Sequence, residues 1–561
     1  MQKGEQLKSL QWIGQNLIGD FKVKVVKVDN MLWKTHTISD LQPGTFGLKI
    51  ETNTTGGLLL INNIPYKHDD DMDEFPMANT NPTWTNNHFH GFWGSANQDN
   101  VFACVKPDEK YQYRYSIDPI HPTGLAVCHS HNFSSSIMLE QVSVFPVLVY
   151  DSCNNDYPKC KDKYQEEFLF IQVPYLQSCD DSTETISDGC DYKFTNGTSP
   201  FVKFIMTNGQ LSPMTSYQID KMIIFRIVWV GNANNLDFAI VDDMNEKVPF
   251  RLLSIDSIPI KSGGKPENTD PYIFTNYKVA HIQRFDVGII FKKPRQYRLV
   301  DLNNQGTSTA LLPLLYVNAF ENVLNNIQQT CIDSGPTLPM IYKNTVSLYD
   351  LKLEYNKWVQ TVNDNFMNIQ NIIAYRSLTF TNHSINNQHF MKENRSEIWE
   401  ITSTQGNAHS FHIHLMWFLV IAYRDNISDQ WTPIPAYWAD TLSFTHMSFL
   451  IWLFPFANVK QPTHLRAVGK AMVHCHQGFH VDDMMALSMF IGNDPPSGIP
   501  NSGSDSLGPR PMPSDVLAIP KAIIKHNRDL EQNDDIIQNN QCRQYRRMCR
   551  CHCRNHCRNN C

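Results

Sequence analysis

The stretch His474-Cys-His-Gln-Gly-Phe-His-Val-Asp-Asp-Met-Met485 (HCHQGFHVDDMM, residues 474–485) decides how the rest of the chain is read. Three histidines surround one cysteine, and a methionine stands ten residues after it. A thiolate held between imidazoles is costly to bury unless a metal compensates its charge. On a β-strand, alternate residues face the same way. His474 and His476 therefore point to one side and Cys475 to the other. One short piece of backbone then serves two metal sites, and a strand of this kind asks for a β-sandwich around it.

The remaining histidines support that reading. The chain holds 21 histidines in 561 residues, and composition alone predicts roughly one His-X-His. There are four: His88/His90 in NHFHGFW, His129/His131 in CHSHNF, His412/His414 in HSFHIHL and His474/His476. They sit in two groups at opposite ends of the body, with His409 and His480 as extra candidates. Imidazole suits Cu, Zn, Fe and Ni, and a thiolate narrows the choice toward copper or zinc. Two imidazoles, one thiolate and a weak axial methionine describe a blue-copper electron-transfer site. Cys475, His480 and Met485 have that order, with His409 as the second imidazole from a neighbouring strand. A closed structural zinc site uses about four ligands and has no need of eight more histidines. Those eight are suited to a second, multinuclear centre.

Between these motifs the texture is β throughout. Stretches such as FKVKVVKVDN, YQYRYSID, VSVFPVLVYD, MIIFRIVWVG and FDVGIIF alternate with turns rich in Asn, Asp, Gly and Pro. That spacing predicts antiparallel sandwiches. We divide the chain into residues 1–155, 156–330 and 331–493, with a crossing linker near Thr330 to Tyr355. The middle unit is expected to be structural and linking. Residues 494–561 are expected to be a Pro/Gly/Ser linker followed by a disordered, basic, Cys-rich tail.

Composition sets the outer limits. Hydrophobic residues make up 42% and charged residues 18%, a globular balance. The formal net charge of -7 gives no reason to expect nucleic acid as a partner. No apolar run reaches the roughly 18 residues of a membrane span. The N-terminus shows no secretory h-region, which implies a signal already removed, another export route, or retention in the cytosol. Of the 14 cysteines, Cys153/Cys160 and Cys179/Cys190 are candidate short disulfides, and Cys104/Cys128 is a weaker third. This usage favours an oxidising, extracellular, surface or coat location. The last six, Cys542 to Cys561, are expected to cross-link the protein into a disulfide-linked assembly, to bind metal loosely, or to form a plain basic tail.

The four signatures HFHG, HSH, HSFHIH and HCHQGFHVDDMM, in this order, resemble the multicopper oxidase family (laccases, bilirubin oxidases, spore-coat and cuprous oxidases). The resemblance covers about residues 20 to 492, and DNVF, HPTG and WADTLSF add to it. It implies three cupredoxin-like Greek-key sandwiches and four copper ions. It places His409, Cys475 and His480 on a type 1 copper, with Met485 axial. His88 and His412 would take a type 2 copper. His90, His129 and His476 would hold one type 3 copper, and His131, His414 and His474 the other. A reducing substrate would give electrons near His480, which pass through Cys475 and its flanking histidines and reduce dioxygen to water. Asp99, nine residues after His90, stands where the family places an acidic proton relay.

The chain departs from the family pattern in four places. Phe89 replaces a common Trp. Val127-Cys128 replaces Trp-Tyr, implying altered packing or a disulfide. The third motif lacks its usual Pro and Gly-His. Val481 stands where many relatives have Glu, which removes one carboxylate from proton delivery. Every ligand is kept, so an active oxidase is expected. Its reductant would be a phenol or aromatic amine, or a metal ion such as Cu(I), Fe(II) or Mn(II), with a tetrapyrrole a further candidate. The rival functions are a structural coat or matrix protein with a secondary or decayed oxidase centre, and a cupredoxin-type copper carrier.

Overall fold

A computed structural model describes most of residues 5–321 and 373–523, leaving out chiefly 65–83, 132–143, 152–163, 179–200, 322–372, 496–511 and 524–561. The Cys153/Cys160 and Cys179/Cys190 pairs, the linker near residues 330–355, Val481 and the Cys-rich tail lie outside the described residues.

The described secondary structure is almost wholly strand, in six sheets. They fall in pairs along the chain. Strands between Gln11 and Tyr150 build a first sandwich, one sheet of which is extended by Tyr175–Ser178 and Val202–Lys203; the other strands between Tyr164 and Phe320 build a second, and those between Ile373 and Gly492 a third. The all-β, multi-sandwich architecture is the one expected from turn spacing and alternation, but the sheets are mixed rather than antiparallel: Tyr164–Gln172 runs parallel to Met222–Val230, and Ile373–Phe380 parallel to Ser396–Ser403. Strand Lys110–Ser116 (KYQYRYS) shows the cause: Tyr113 and Tyr115 are buried while Arg114 points out.

The second sandwich departs from simple alternation. Strand Met222–Val230 (MIIFRIVWV) is buried at every residue. Ile223, Phe225, Ile227 and Trp229 fill the large core on one face. Val228 and Val230, on the other face, join Leu125, Val127 and Ile282 in a separate cluster. A continuous apolar run is what a strand covered on both faces requires. Over Val228 and Val230 the second cover comes from the first sandwich, so the two are packed together there by apolar contact, while Met222 and Ile224 cluster with Leu253 and Ile290 of the second.

The segment after residue 494 is not wholly the unfolded tail expected of it. Residues 514–520 are helical, and Val516 and Ile519 are buried in the large core. A Ser-Asp start behind Pro513 is a helix-entry signal that the surrounding Pro and Gly obscure. The proposed Cys104/Cys128 disulfide is also absent: both are thiols, Cys104 at the surface and Cys128 buried. Cys128 stands opposite Phe89 across two paired strands, on the face that enters the first core, and its thiol donates to Asn87 Oδ1. No helix among the described residues is long and apolar enough to cross a membrane.

Candidate metal centre

Two strands of the third sandwich create both sites. His409–Ile413 pairs antiparallel with Gly469–Cys475, in the register Phe411↔Cys475 and His412↔His474. Alternation then sorts the side chains. His409 and Cys475 share one face of the sheet. His412 and His474 share the other, with His414 and His476 next along the chain. The first sandwich supplies the complement through strands His88–His90 and Gly124–His129, where His88 lies opposite His129.

On the first face, Cys475 Sγ is 3.6 Å from His409 Nδ1 and 3.2 Å from His480 Nδ1. These three atoms form one compact group. Met485 is fully buried, and its carbonyl accepts the Cys475 N–H at 3.0 Å while its own N–H donates to His480 O at 2.8 Å. Burial pushes the Cys475 thiol up to about 12. A thiolate here therefore needs a cation beside it.

On the second face, eight imidazoles converge: His88, His90, His129, His131, His412, His414, His474 and His476, all buried. His131, His414 and His474 meet through their Nε2 atoms at 3.0–3.1 Å. His88 Nε2 is 3.4 Å from His412 Nε2. His90 Nδ1 is 3.2 Å from His476 Nε2, and the His129 and His476 rings are 5.0 Å apart. Nitrogens bound at about 2.0–2.1 Å to one tetrahedral ion stand about 3.3 Å apart.

The outer contacts fix which nitrogen faces inward. His88 Nδ1–H donates to Asp99 Oδ2 at 2.7 Å, His129 to Ser130 O at 2.7 Å, His412 to Asp440 O at 2.8 Å and His474 to Cys475 O at 2.9 Å. Each of these rings then presents a bare Nε2 lone pair to the centre. Lone pairs facing lone pairs repel unless a cation lies between them. Burial, first of all, lowers His88, His131, His412, His474 and His476 well below the ordinary histidine range, and neighbouring histidines lower them further. Neutral imidazole is the ligand form. The buried His129 Nε2, His131 Nδ1, His414 Nδ1 and His476 Nδ1 also have no hydrogen-bond partner. The donor set thus fits soft or borderline metal ions, and copper fits both faces at once.

Eleven of the twelve sequence-predicted ligands come together by their side chains in these two places; Met485 is buried and joined through its backbone to Cys475 and His480. Asp99 is also there, accepting from His88 Nδ1 and from Phe89 N at 2.9 Å, and 3.6 Å from His414 Nδ1. It lines a small cavity with Phe89, Trp93, Gln98 and Tyr115. Sequence reasoning missed Asp440, Arg284, Asp256 and His281. Asp440 Oδ1 is 3.1 Å from His90 Nε2 and sits with His90 and His412 in a further candidate ligand group. Its signal was present in WADTLSF, as a motif without an assigned role. Burial and the adjacent Asp440 carboxylate raise Asp256 to about 7, while Arg284 lies between the two acids.

The described residues form an all-β, multi-sandwich fold with a cysteine–histidine group and a multi-histidine group on opposite faces of one strand. Residues 357–495 match the family described as Multicopper oxidase. Solved structures extend the likeness of fold over nearly the whole chain. A metallo-oxidase from Campylobacter jejuni is 14% identical, with 87% of this chain and 96% of that chain covered and a TM-score of 0.59. The McoA multicopper oxidase of Aquifex aeolicus is 14% identical, with 88% and 100% covered and a TM-score of 0.58. Fet3p, described as functioning in iron import, is 14% identical, with 91% and 95% covered and a TM-score of 0.56. No curated protein sequence matches the chain.

Proposed function

We propose that the protein is a four-copper oxidase that takes single electrons from a small reductant at the Cys475 site and delivers them to dioxygen at the eight-histidine site. The observation that carries this reading is the back-to-back arrangement of the two sites on one strand, with Cys475 on one face and His474 and His476 on the other. Copper would supply reversible one-electron transfer at the first site and multi-electron reduction of dioxygen to water at the second.

The chain's residues divide the work. His409, Cys475 and His480 would hold the type 1 ion, with Met485 as a further ligand. His88 and His412 would hold the type 2 ion. His90, His129 and His476 would hold one member of the type 3 pair, and His131, His414 and His474 the other. His480, the least buried of these ligands, faces the donor. The peptide bonds of Cys475 join the thiolate to both flanking histidines, the shortest covalent route between the sites. Asp99 moves protons from its cavity toward the His88 side, because a carboxylate there touches both the ligand's Nδ1–H and open space. The three sandwiches correspond to residues 1–155, 156–330 and 331–493.

The reductant is a phenol or aromatic amine, or a metal ion. Met485 as a ligand would favour easily oxidised donors, and the sequence carries no long Met-rich insertion that would collect cuprous ions. The test is oxygen uptake with a simple phenol and with Fe(II). Uptake in a 1:4 ratio of dioxygen to electrons, without peroxide, supports the proposal. Peroxide release or no uptake with either donor contradicts it.

A further inference from the structure

The second sandwich holds none of the ligands, yet one of its turns reaches both ligand-bearing strands of the third. The turn Ala280–Arg284 is buried throughout. Ile282 adopts φ +61°, a left-handed conformation that is strongly disfavoured for a β-branched residue. Its side chain is fully buried among Leu125, Val127 and Val228. Strain of this kind persists where the surroundings over-determine it, commonly at functional sites.

The strained turn aims three side chains at the third sandwich. His281 Nδ1–H donates to the carbonyl of His476 at 2.6 Å. Gln283 Nε2 donates to Thr441 O at 3.0 Å. Arg284 grips Asp440 with both arms of its fork, at 2.9 and 2.5 Å, and its Nε donates to Leu125 O at 3.1 Å. Arg284 also lies 3.4 Å from Asp256, whose Oδ2 accepts the backbone N–H groups of Asp440 and Thr441 at 2.9 and 3.1 Å. One guanidinium therefore touches all three sandwiches. The first makes room for it: a Cβ on Gly91, which has φ +91°, would lie 2.5 Å from Arg284 Nη2. The glycine of the HFHG motif is needed at that point because Arg284 is there.

What Arg284 holds is next to the histidine centre on two sides. The Asp440 carboxylate faces His90 Nε2 at 3.1 Å, and the Asp440 carbonyl accepts His412 Nδ1–H at 2.8 Å. We propose that Arg284, presented by the strained turn 280–284, is a positioning residue for the eight-histidine centre, which orients Asp440 and through it His90 and His412. The inference deepens the four-copper reading and rests on it. A bidentate fork fixes the plane of a carboxylate in a way that a lysine point charge does not.

Arg284→Lys and Arg284→Met, in the full-length copper-loaded protein, test it. The lysine variant keeps a cation in the buried acid pair, so it decides the matter if the methionine variant fails to fold. Outer partners of ligating residues typically change metal affinity about 10–100-fold. The expected result for Arg284→Lys is a blue absorbance per chain equal to wild type, with type 2 copper at least tenfold easier to remove by a chelator and its electron paramagnetic resonance (EPR) parameters altered. Type 2 EPR parameters and chelator resistance unchanged from wild type would overturn the proposal. Parallel loss of type 1 and type 2 copper would also overturn it, by reducing Arg284 to a generic stabiliser. Wild-type protein with no blue band would instead defeat the four-copper reading, before any variant is compared.

Discussion

Removing copper should leave a protein that unfolds in mildly acidic solution. Burial lowers nine histidines below their ordinary range: His88, His90, His129, His131, His412, His474 and His476 in the centre, with His121 and His281 nearby. His121 and His281 fall to about 4. Each is neutral in the folded chain at pH 5.5, and mostly protonated in the unfolded chain, whose histidines titrate near 6.5. The unfolded state therefore binds more protons, and stability falls as pH drops below that value. Between pH 7 and 5.5 each such histidine costs about 1 kcal/mol. Nine would cost about 10 kcal/mol, and half of that still rivals the whole stability of a typical domain, about 5–15 kcal/mol. Denaturant melts of copper-free and copper-loaded protein at pH 7.5 and 5.5 measure this. The expected result is a large fall in the midpoint for the copper-free protein and a smaller one for the loaded protein, whose imidazoles are held neutral by the metal. Equal midpoints at the two pH values for the copper-free protein would refute the reasoning.

Four further outcomes are expected. Asp99→Asn should lower turnover at least tenfold while leaving the blue absorbance intact; steady-state oxygen uptake across pH checks this, and unchanged turnover at every pH would remove Asp99 from proton delivery. Glu397→Gln should cost about 3–5 kcal/mol without altering the copper spectra: burial would raise this carboxyl, but hydrogen bonds from His389 and Arg376 hold it down to about 2, and its neutralisation breaks a buried ion pair. Thermal melts give the answer. Gly91→Ala should destabilise by about 1–3 kcal/mol and weaken type 2 copper as well, since it combines φ strain with a clash against Arg284. Truncation after residue 523 should leave colour and melting temperature unchanged, whereas truncation before residue 512 should lower the melting temperature by uncovering the core that Val516 and Ile519 close.

The candidate ligands were legible in the sequence because their spacing is local. His-X-His and His-Cys-His mean something on any strand, whatever surrounds them. The sandwiches were legible for a similar reason, since period-two alternation in KYQYRYS follows from burial on one face. Contacts between units left no such trace. Arg284 and Asp440 are 156 positions apart, and no pattern marks an arginine destined to be buried between two acids. His281 reads as an ordinary histidine until its Nδ1 is seen on the His476 carbonyl. The middle sandwich was for that reason expected to be a linker alone. Cys104 and Cys128 were paired on proximity in sequence, but strand pairing turns Cys128 inward toward Phe89. The helix at 514–520 was hidden among prolines, and its anchoring depends on a core formed by distant strands.

The most direct test of the central claim is copper per chain together with the visible and EPR spectra of one purified, reconstituted sample. The account predicts about four copper ions, a blue band that Cys475→Ser abolishes, and a separate type 2 signal that survives that substitution. A single copper with a blue band would make the protein a carrier, and no bound copper would leave the histidine centre without the role proposed for it.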